Sequence, residues 1–362
     1  MVLYPMVIPH RLLWYEKLNG VEITNSWFLA GEIPLTSYHP SFFALSLNQQ
    51  EVLFMCTGIA FQTRDFYFGR NLDYDFSYGE ELVIVPKTHP FSFRNGRHLK
   101  EHHALMGIAH KDNGYPLFYD AINDQGLGMA GLNFVGNAVY AEKDPIDKEA
   151  VASFEIIPFI LLQASNLEEA KELLRHLDIT STPYNEQLPP SSLHWLIADK
   201  TGSITVERTK DGLHVYDNPV GALTNNPPFP IQLWNLKNYA SLSVTDPENK
   251  WNKQLDLSPY SRGMGAMGLP GDLSSLSRFV RVCFTKTHSI CQEDERSSVS
   301  QFFHILGSVE QVRGCCEVRP GEFEYTIYSI CYNASKGIAY LKTYDGETME
   351  RVSFEDKKYY LE

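Results

Sequence analysis

Beyond Met55 the apolar residues keep two different periods with no linker between them, and a chain of that kind is held to one mixed α+β domain. Residues 57–63 and 66–71 are rich in β-formers and flank Arg64-Asp65, a spacing that predicts a short hairpin. Residues 82–85 continue in the same manner. Between Ala150 and Leu177 the rhythm changes, because Phe154, Ile157, Ile160 and Leu161, then Leu167, Ala170, Leu173, Leu174 and Leu177, recur at helical spacing. Ser165-Asn166 before Leu167-Glu168-Glu169 supplies a cap and first-turn acids for the second of these helices. Strands are predicted over 193–199 and 203–208, helices over 276–287 and 299–311, and closing strands over 324–332 and 337–344. Residues 56–362 are therefore read as one domain. Residues 1–55, aromatic-rich and without sustained periodicity, are read as a separate N-terminal extension.

Charge and cysteine usage narrow the function classes. A net charge of -13 with no basic tract excludes a nucleic-acid partner, since phosphate binding needs clustered Lys and Arg. Six cysteines in 362 residues, two of them adjacent at Cys315-Cys316, do not form a disulfide framework, which points to a reducing compartment. Pro5, His10, Arg11, Glu16 and Lys17 interrupt the N-terminal apolar residues, so the pattern of a signal peptide is missing. No apolar run approaches the ~20 residues of a bilayer span. The expectation is a cytoplasmic protein without a membrane partner.

Several local signals have ordinary readings. Gly263-Met264-Gly265-Ala266-Met267-Gly268 has the glycine spacing of a dinucleotide site but lacks the strand and helix that such a site requires, and is read as a flexible loop. His98, His102 and His103 lack a third ligand and are read as part of a solvated, mixed-charge segment. Asn333-Ala334-Ser335 fits a glycosylation sequon, which has no meaning without secretion. No metal or organic cofactor is implied.

A lone cysteine in a strand is ordinarily a small buried hydrophobe. Cys56 departs from that because of its company. If the peptide bond before it is broken, Cys56 carries nucleophile and base in one residue. A free α-amine with a pKa near ~7.7–8.0 can take the thiol proton and later protonate a leaving amine.

Met55-Cys56-Thr57-Gly58, followed by Phe68-Gly69-Arg70-Asn71-Leu72-Asp73, resembles the opening of the choloylglycine hydrolase family, which comprises bile salt hydrolases and penicillin V acylases. Further blocks at 123–134, 193–199, 223–229, 268–279 and 302–314 follow in that family's order, so the resemblance runs from Met55 to about Tyr344. It implies the four-layer αββα fold of N-terminal-nucleophile hydrolases, with two stacked antiparallel sheets between helical layers. It also implies an acyl-thioester mechanism with Cys56 as nucleophile and, through its amine, base. In the same way Arg70 would lower the thiol pKa, Asp73 would hold the α-ammonium, and Asn133 and Asn225 would supply oxyanion donors. Arg278 would complete the network, and Leu72 would meet a steroid. Asn133 and the residues 135–140 after it are similar to the bile salt hydrolases, so the implied substrates are glycine- or taurine-conjugated bile salts. The implied assembly is a homotetramer of a bacterial cytoplasmic enzyme.

Departures concern the pocket mouth. The Cys56-to-Arg70 spacing is two residues shorter than in typical bile salt hydrolases, and the 111–115 loop differs. Penicillin V acylase or another N-acyl amidase is the alternative substrate class. A silent homologue blocked by its extension is the alternative outside catalysis. The extension itself has two readings. It is a self-cleaved propeptide, as in relatives of this fold, or a translated leader upstream of a true start at Met55. The second rests on Gln50-Glu51-Val52, which can be encoded as CAG-GAG-GTN and so contain the ribosome-binding string AGGAGGT.

Overall fold

A computed structural model of the chain describes residues 4–8, 11–18, 21–28 and 55–361, and divides the chain into two units, Met1–Gln50 and Glu51–Glu362. In the first unit, β1 (Tyr4–Ile8), β2 (Arg11–Leu18) and β3 (Val21–Phe28) form an antiparallel sheet in that order. This regular structure exceeds the sequence expectation. The missed cue is Asn19-Gly20, a pair strongly favoured between hairpin strands, which separates β2 from β3 in sequence. Residues 29–54, including the Gln50-Glu51-Val52 segment and the end of the predicted extension, lie outside the described residues.

The second unit is built on two antiparallel sheets. Six strands run in the order β17 (Ala222–Leu223), β4 (Cys56–Gln62), β5 (Phe66–Tyr74), β20 (Tyr325–Asn333), β21 (Ile338–Thr343) and β22 (Glu350–Ser353). The other sheet has seven: β16 (Gly212–Asp217), β15 (Gly202–Thr209), β14 (Leu193–Asp199), β11 (Gly128–Asn133), β10 (Tyr115–Asn123), β9 (Leu105–Asp112) and β6 (Glu81–Val85). Three short ribbons decorate them: β7 (Phe91–Ser92) with β8 (His98–Leu99), β12 (Glu149–Ala152) with β13 (Leu177–Thr180), and β18 (Glu317–Arg319) with β19 (Glu322–Phe323).

Side-chain alternation explains the layering. In β14, Leu196 and Ala198 join the core between the sheets, whereas Trp195 and Ile197 join a second core on the outer face. Both faces are covered, so the strand reads as a nearly unbroken apolar run. The outer core is closed by α1 (Ile156–Leu161) and α2 (Leu167–Arg175), whose Asn166 cap accepts from the Glu169 N–H as the sequence predicts. On the far side of the six-stranded sheet lie α4 (Ser275–His288) and α5 (Glu295–Gly307), with α3 (Phe229–Asn235) against α4. The result is a helix–sheet–sheet–helix stack. Among the described residues no helix is long and apolar enough to cross a membrane.

The helical spacing read through Leu177 overruns α2, since Leu177 opens β13, and the largest departures from expectation are at the two ends of α5. The helix predicted over 299–311 begins four residues earlier, because Asp294 caps the Ser297 N–H and opens a polar first turn that carries no apolar signal. It ends at Gly307, leaving Val309 and Gln311 buried in a loop. The glycine cluster at 263–268 is a loop with one 3-10 turn at Met264–Ala266. Gly265 is needed there for packing, since a Cβ would lie 1.9 Å from the Thr245 carbonyl oxygen.

Candidate active site

β5 is the central strand of the site and carries three of the predicted residues. Its register pairs Leu72 with Cys56 and Arg70 with Gly58 on β4, so these four positions share the face toward the seven-stranded sheet. Asp73 pairs with Thr326 of β20, directed to the opposite side. β20 approaches β5 so closely that a Cβ at Gly69 would sit 1.9 Å from the Ile330 carbonyl oxygen. The glycine of the Phe68-Gly69-Arg70 block thus has a packing reason.

Cys56 is the first residue of β4 and is 3 % exposed. Its main-chain N–H donates to Asn225 Oδ1 at 2.8 Å. Arg278, fully buried in the first turn of α4, donates from Nη2 to the same Oδ1 at 2.6 Å and from Nη1 to the Cys56 carbonyl at 2.6 Å and Thr57 Oγ1 at 2.7 Å. Asn225 in turn donates from Nδ2 to the Asn133 carbonyl at 3.0 Å, which uses one of the two N–H groups of that amide. Cys56, Asn133, Asn225 and Arg278 are thus joined in one hydrogen-bonded network. Leu72 lies against Cys56 across the β4–β5 ladder and is buried.

While the Met55–Cys56 peptide bond is intact, Asp73 has partners of its own. Its carboxylate accepts from Thr326 Oγ1 at 2.6 Å and Gln311 Nε2 at 3.2 Å, and its main-chain N–H donates to the Met55 carbonyl at 3.1 Å. With the Met55–Cys56 peptide bond intact, the nitrogen of Cys56 is held by Asn225. The Met55 N–H donates to Glu324 Oε1.

Burial governs the protonation of these groups. It raises the Cys56 thiol above its ordinary range; the Arg70 charge and a hydrogen bond from the Asp73 main chain oppose this without reversing it, while the charges of Asp73 and Glu324 add to the rise. The lowering role predicted for Arg70 is therefore present as one contribution beneath a larger opposing one. Burial likewise raises Asp73, against the pull of Arg278. Burial, followed by the neighbouring charge of Asp73, pushes Glu324 up to about 8.

Sequence reasoning missed the supports of this network. Glu324, Thr326 and Gln311 come from chain segments some 250 residues from Cys56, and only folding brings them together. His194, stacked on Phe134 at 4.3 Å, donates from Nε2 to the Thr224 carbonyl at 2.7 Å and steadies the loop that presents Asn225. After β5 an aromatic cluster forms from Tyr74, Phe76 and Tyr78, with ring centroids 4.5–5.7 Å apart; Phe76 remains 44 % exposed. Elsewhere, His98 pairs with Ser92, and His102 sits between the carbonyls of His89 and His103. A cavity of about 420 Å³ near Lys200, Asn218 and Lys286 contains none of the predicted site residues.

Residues 56–359 match the linear amide C-N hydrolases of the choloylglycine hydrolase family. The chain belongs to that family. It is 52% identical over 299 residues to a bile salt hydrolase/transferase of Lactiplantibacillus plantarum, with 83% of this chain and 92% of that protein covered. Identity to a bile salt hydrolase/transferase of Clostridium perfringens is 36% over 303 residues, covering 82% of this chain and 92% of the relative. Among solved structures, a cysteine-to-alanine mutant of the conjugated bile acid hydrolase from Clostridium perfringens matches with a TM-score of 0.77 at 33% identity, over 83% of this chain and 92% of that one. A penicillin V acylase from Agrobacterium tumefaciens shares the fold, with a TM-score of 0.66 at 16% identity over 83% and 87% of the two chains. The αββα stack is the N-terminal-nucleophile hydrolase fold, and the protein is a choloylglycine-family hydrolase of linear amide C–N bonds.

Proposed function

We propose that this family member hydrolyses the amide of glycine- or taurine-conjugated bile salts, with Cys56 as nucleophile once its α-amine has been freed by removal of everything before it. The observation that carries the reading is the seat of the Cys56 nitrogen, 2.8 Å from Asn225 Oδ1 with Arg278 behind it. The atom that becomes the α-amine is thereby oriented in advance. The family match begins at that residue. In the reaction the amine takes the thiol proton, the sulfur attacks the substrate carbonyl, and the second Nδ2–H of Asn225, with Asn133 beside it, faces the developing oxyanion. Collapse expels glycine or taurine with the proton returned from the amine. Water then adds to the thioester and releases the bile acid. The partly exposed Phe76 and Tyr78 beyond Asp73 supply apolar area for a steroid.

The identity to named bile salt hydrolases supports this substrate class over penicillin V. We place the enzyme in the bacterial cytoplasm as a homotetramer; the outward apolar side chains Trp234, Trp251, Tyr260 and Met267 are consistent with self-association. Turnover of glycocholate, taurocholate and penicillin V by the same preparation, with N-terminal sequencing, tests the reading. The expected result is a mature chain starting at Cys56 that prefers the bile salts. Cys56→Ala abolishes turnover while Cys315→Ala does not. A strong preference for penicillin V would defeat the substrate assignment, and an active chain with Met55 still attached would defeat the mechanism.

A further inference from the structure

Two β-bulges lie beside Arg70, one in each sheet. In β10 the pairing with β9 slips between Phe118 and Asp120, and in β20 the pairing with β5 slips between Thr326 and Tyr328. Residues i and i+2 of a regular strand share a face, and a bulge breaks that rule locally. Phe118 accordingly enters the outer core, whereas Asp120 turns between the sheets. Thr326 directs its hydroxyl to Asp73, whereas Tyr328 directs its own to Asp120. Bulges re-aim side chains at such places at a cost in ladder hydrogen bonds, and here both serve the same small volume.

Asp120 is fully buried and accepts from Tyr328 at 2.5 Å and Tyr332 at 2.6 Å. Its Oδ2 lies 4.0 Å from Arg70 Nε, and among the described residues no other carboxylate comes as near to Arg70. The remaining contacts of Arg70 are to main-chain carbonyls: Nε to Asn71 at 3.3 Å, and Nη1 to Tyr119 at 3.2 Å and Gly131 at 2.5 Å. Tyr119 is the extra residue of the first bulge. Nη2 is buried with no hydrogen bond to the protein. Nε and Nη1 are thus fastened and Nη2 is left for the reaction.

We propose that Asp120, held by Tyr328 and Tyr332, is a positioning residue that fixes the back edge of Arg70 so that Nη2 is presented to the Cys56 thiolate. The inference rests on the role proposed for Arg70. Burial raises the Asp120 carboxyl, whereas Arg70, Tyr328 and Tyr332 favour its anion; in that form it is the countercharge for a guanidinium in a place where an unpaired charge is expensive. The groups bearing on the thiol and on Arg70 are Asp73 from β5, Glu324 from the chain before β20, Tyr328 from β20 and Asp120 from β10. Arg278 adds its charge to Asp73 and Glu324 from α4.

The direction of one measurement separates positioning from a merely nearby charge. Deleting a bystander anion makes the surroundings more positive, so Cys56 would ionise more readily. Deleting an anchor lets the guanidinium drift, so Cys56 would ionise less readily. The experiment measures the pH dependence of Cys56 alkylation by iodoacetamide, read on the Cys56 peptide by mass spectrometry, in the active enzyme and in Asp120→Asn. Glycocholate turnover and thermal melting are followed alongside. We expect the alkylation midpoint to rise and kcat to fall on the order of 10- to 100-fold, the scale of a small misplacement, with KM changed far less. Tyr328→Phe and Tyr332→Phe, which remove one donor each and preserve packing, move both readouts the same way by less and serve if Asp120→Asn fails to fold. A midpoint that is unchanged or lowered in these variants overturns the inference. Arg70→Gln is the reference: if it leaves the midpoint unchanged, the role of Arg70 itself falls, whereas a shift there without one in the Asp120, Tyr328 and Tyr332 variants removes only the anchor.

Discussion

Replacing Arg278 by Met tests whether the polar network seats the catalytic strand. The side chain makes four contacts, to the carbonyls of Leu273 and Cys56, to Thr57 Oγ1 and to Asn225 Oδ1. Met fills much of the volume and satisfies none of them. Net contributions of about 1.5–3 kcal/mol per hydrogen bond to a charged group would sum to well above the whole effect, because bonds made by one side chain are not additive. The better guide is the loss of one partner from a buried charged network, about 3–5 kcal/mol. At roughly 2 °C per kcal/mol for a large domain, the melting temperature should fall by about 6–10 °C. Activity should fall further than stability explains, because Asn225 loses one of the two donors that hold its Oδ1. Loss of one oxyanion donor costs on the order of 10²–10³ in kcat. Arg278→Lys, which keeps a charge but not the planar fork, should recover part of the stability and little of the rate. The assays are thermal melting and glycocholate turnover on folded protein. An Arg278→Met protein that melts within about 1 kcal/mol of the parent and turns over normally would refute the idea that this residue seats Asn225, since a well-packed apolar replacement can be neutral.

Two other perturbations address the strands and the buried acid. Gly69→Ala should destabilise the domain by about 3 kcal/mol or more, because its Cβ would meet main-chain atoms of β20 that cannot move aside, while Gly271→Ala, with open space around it, should stay within about 0.5 kcal/mol. Equal melting temperatures for the two would show that the β5–β20 approach is looser than described. Glu324→Gln should remove a pH dependence of stability in the full-length chain. The folded carboxyl keeps its proton up to about 8 while the unfolded one loses it near 4.5, so the parent loses stability as pH rises between those values, at most about 1.4 kcal/mol per unit. The melting-temperature advantage of Glu324→Gln over the parent should therefore widen from pH 5 to pH 8, and a constant gap would contradict a raised Glu324.

The sequence made the outline of the fold readable where one period dominated. The β4–β5 hairpin around Arg64-Asp65 and α2 behind its Asn166 cap are local structures written in adjacent residues. The start of α5 was hidden because its first turn is polar and its signal is a cap. Cys56, Arg70, Asn133, Asn225 and Arg278 could be named through ordered motif blocks, and the structure gathers them. Asp120 and Glu324 could not. A bulge is a slip of register between strands, and no property of Phe118, Tyr119 or Asp120 alone announces it. The same is true of Glu324, whose proximity to Met55 depends on how β20 lies beside β5.

The buried charges give a physical reason for the terminal position proposed for Cys56. Arg70 and Arg278 bring two positive charges into the site, and Asp73, Asp120 and Glu324 bring three carboxyl groups, all without solvent exposure. Burial pushes Glu324 up to about 8 and raises Asp73 and Asp120 as well, with Arg278 pulling Asp73 back and Arg70 pulling Asp120 back, so the site already resists further negative charge. A thiolate at Cys56 adds an uncompensated negative charge to that balance, and burial raises the thiol even with Arg70 at hand. An α-amine on the same residue changes the balance, because the proton leaving sulfur moves to nitrogen and the site gains an ion pair instead of a net charge. Asn225 Oδ1, which accepts from the Cys56 amide N–H while the peptide bond is intact, would accept from the same nitrogen as an ammonium. An internal Cys56 has only an amide nitrogen, which cannot take the proton. The burial of so many ionisable groups is thus a physical argument for the free terminus proposed for Cys56: a proton that moves from sulfur to nitrogen adds no net charge to the site.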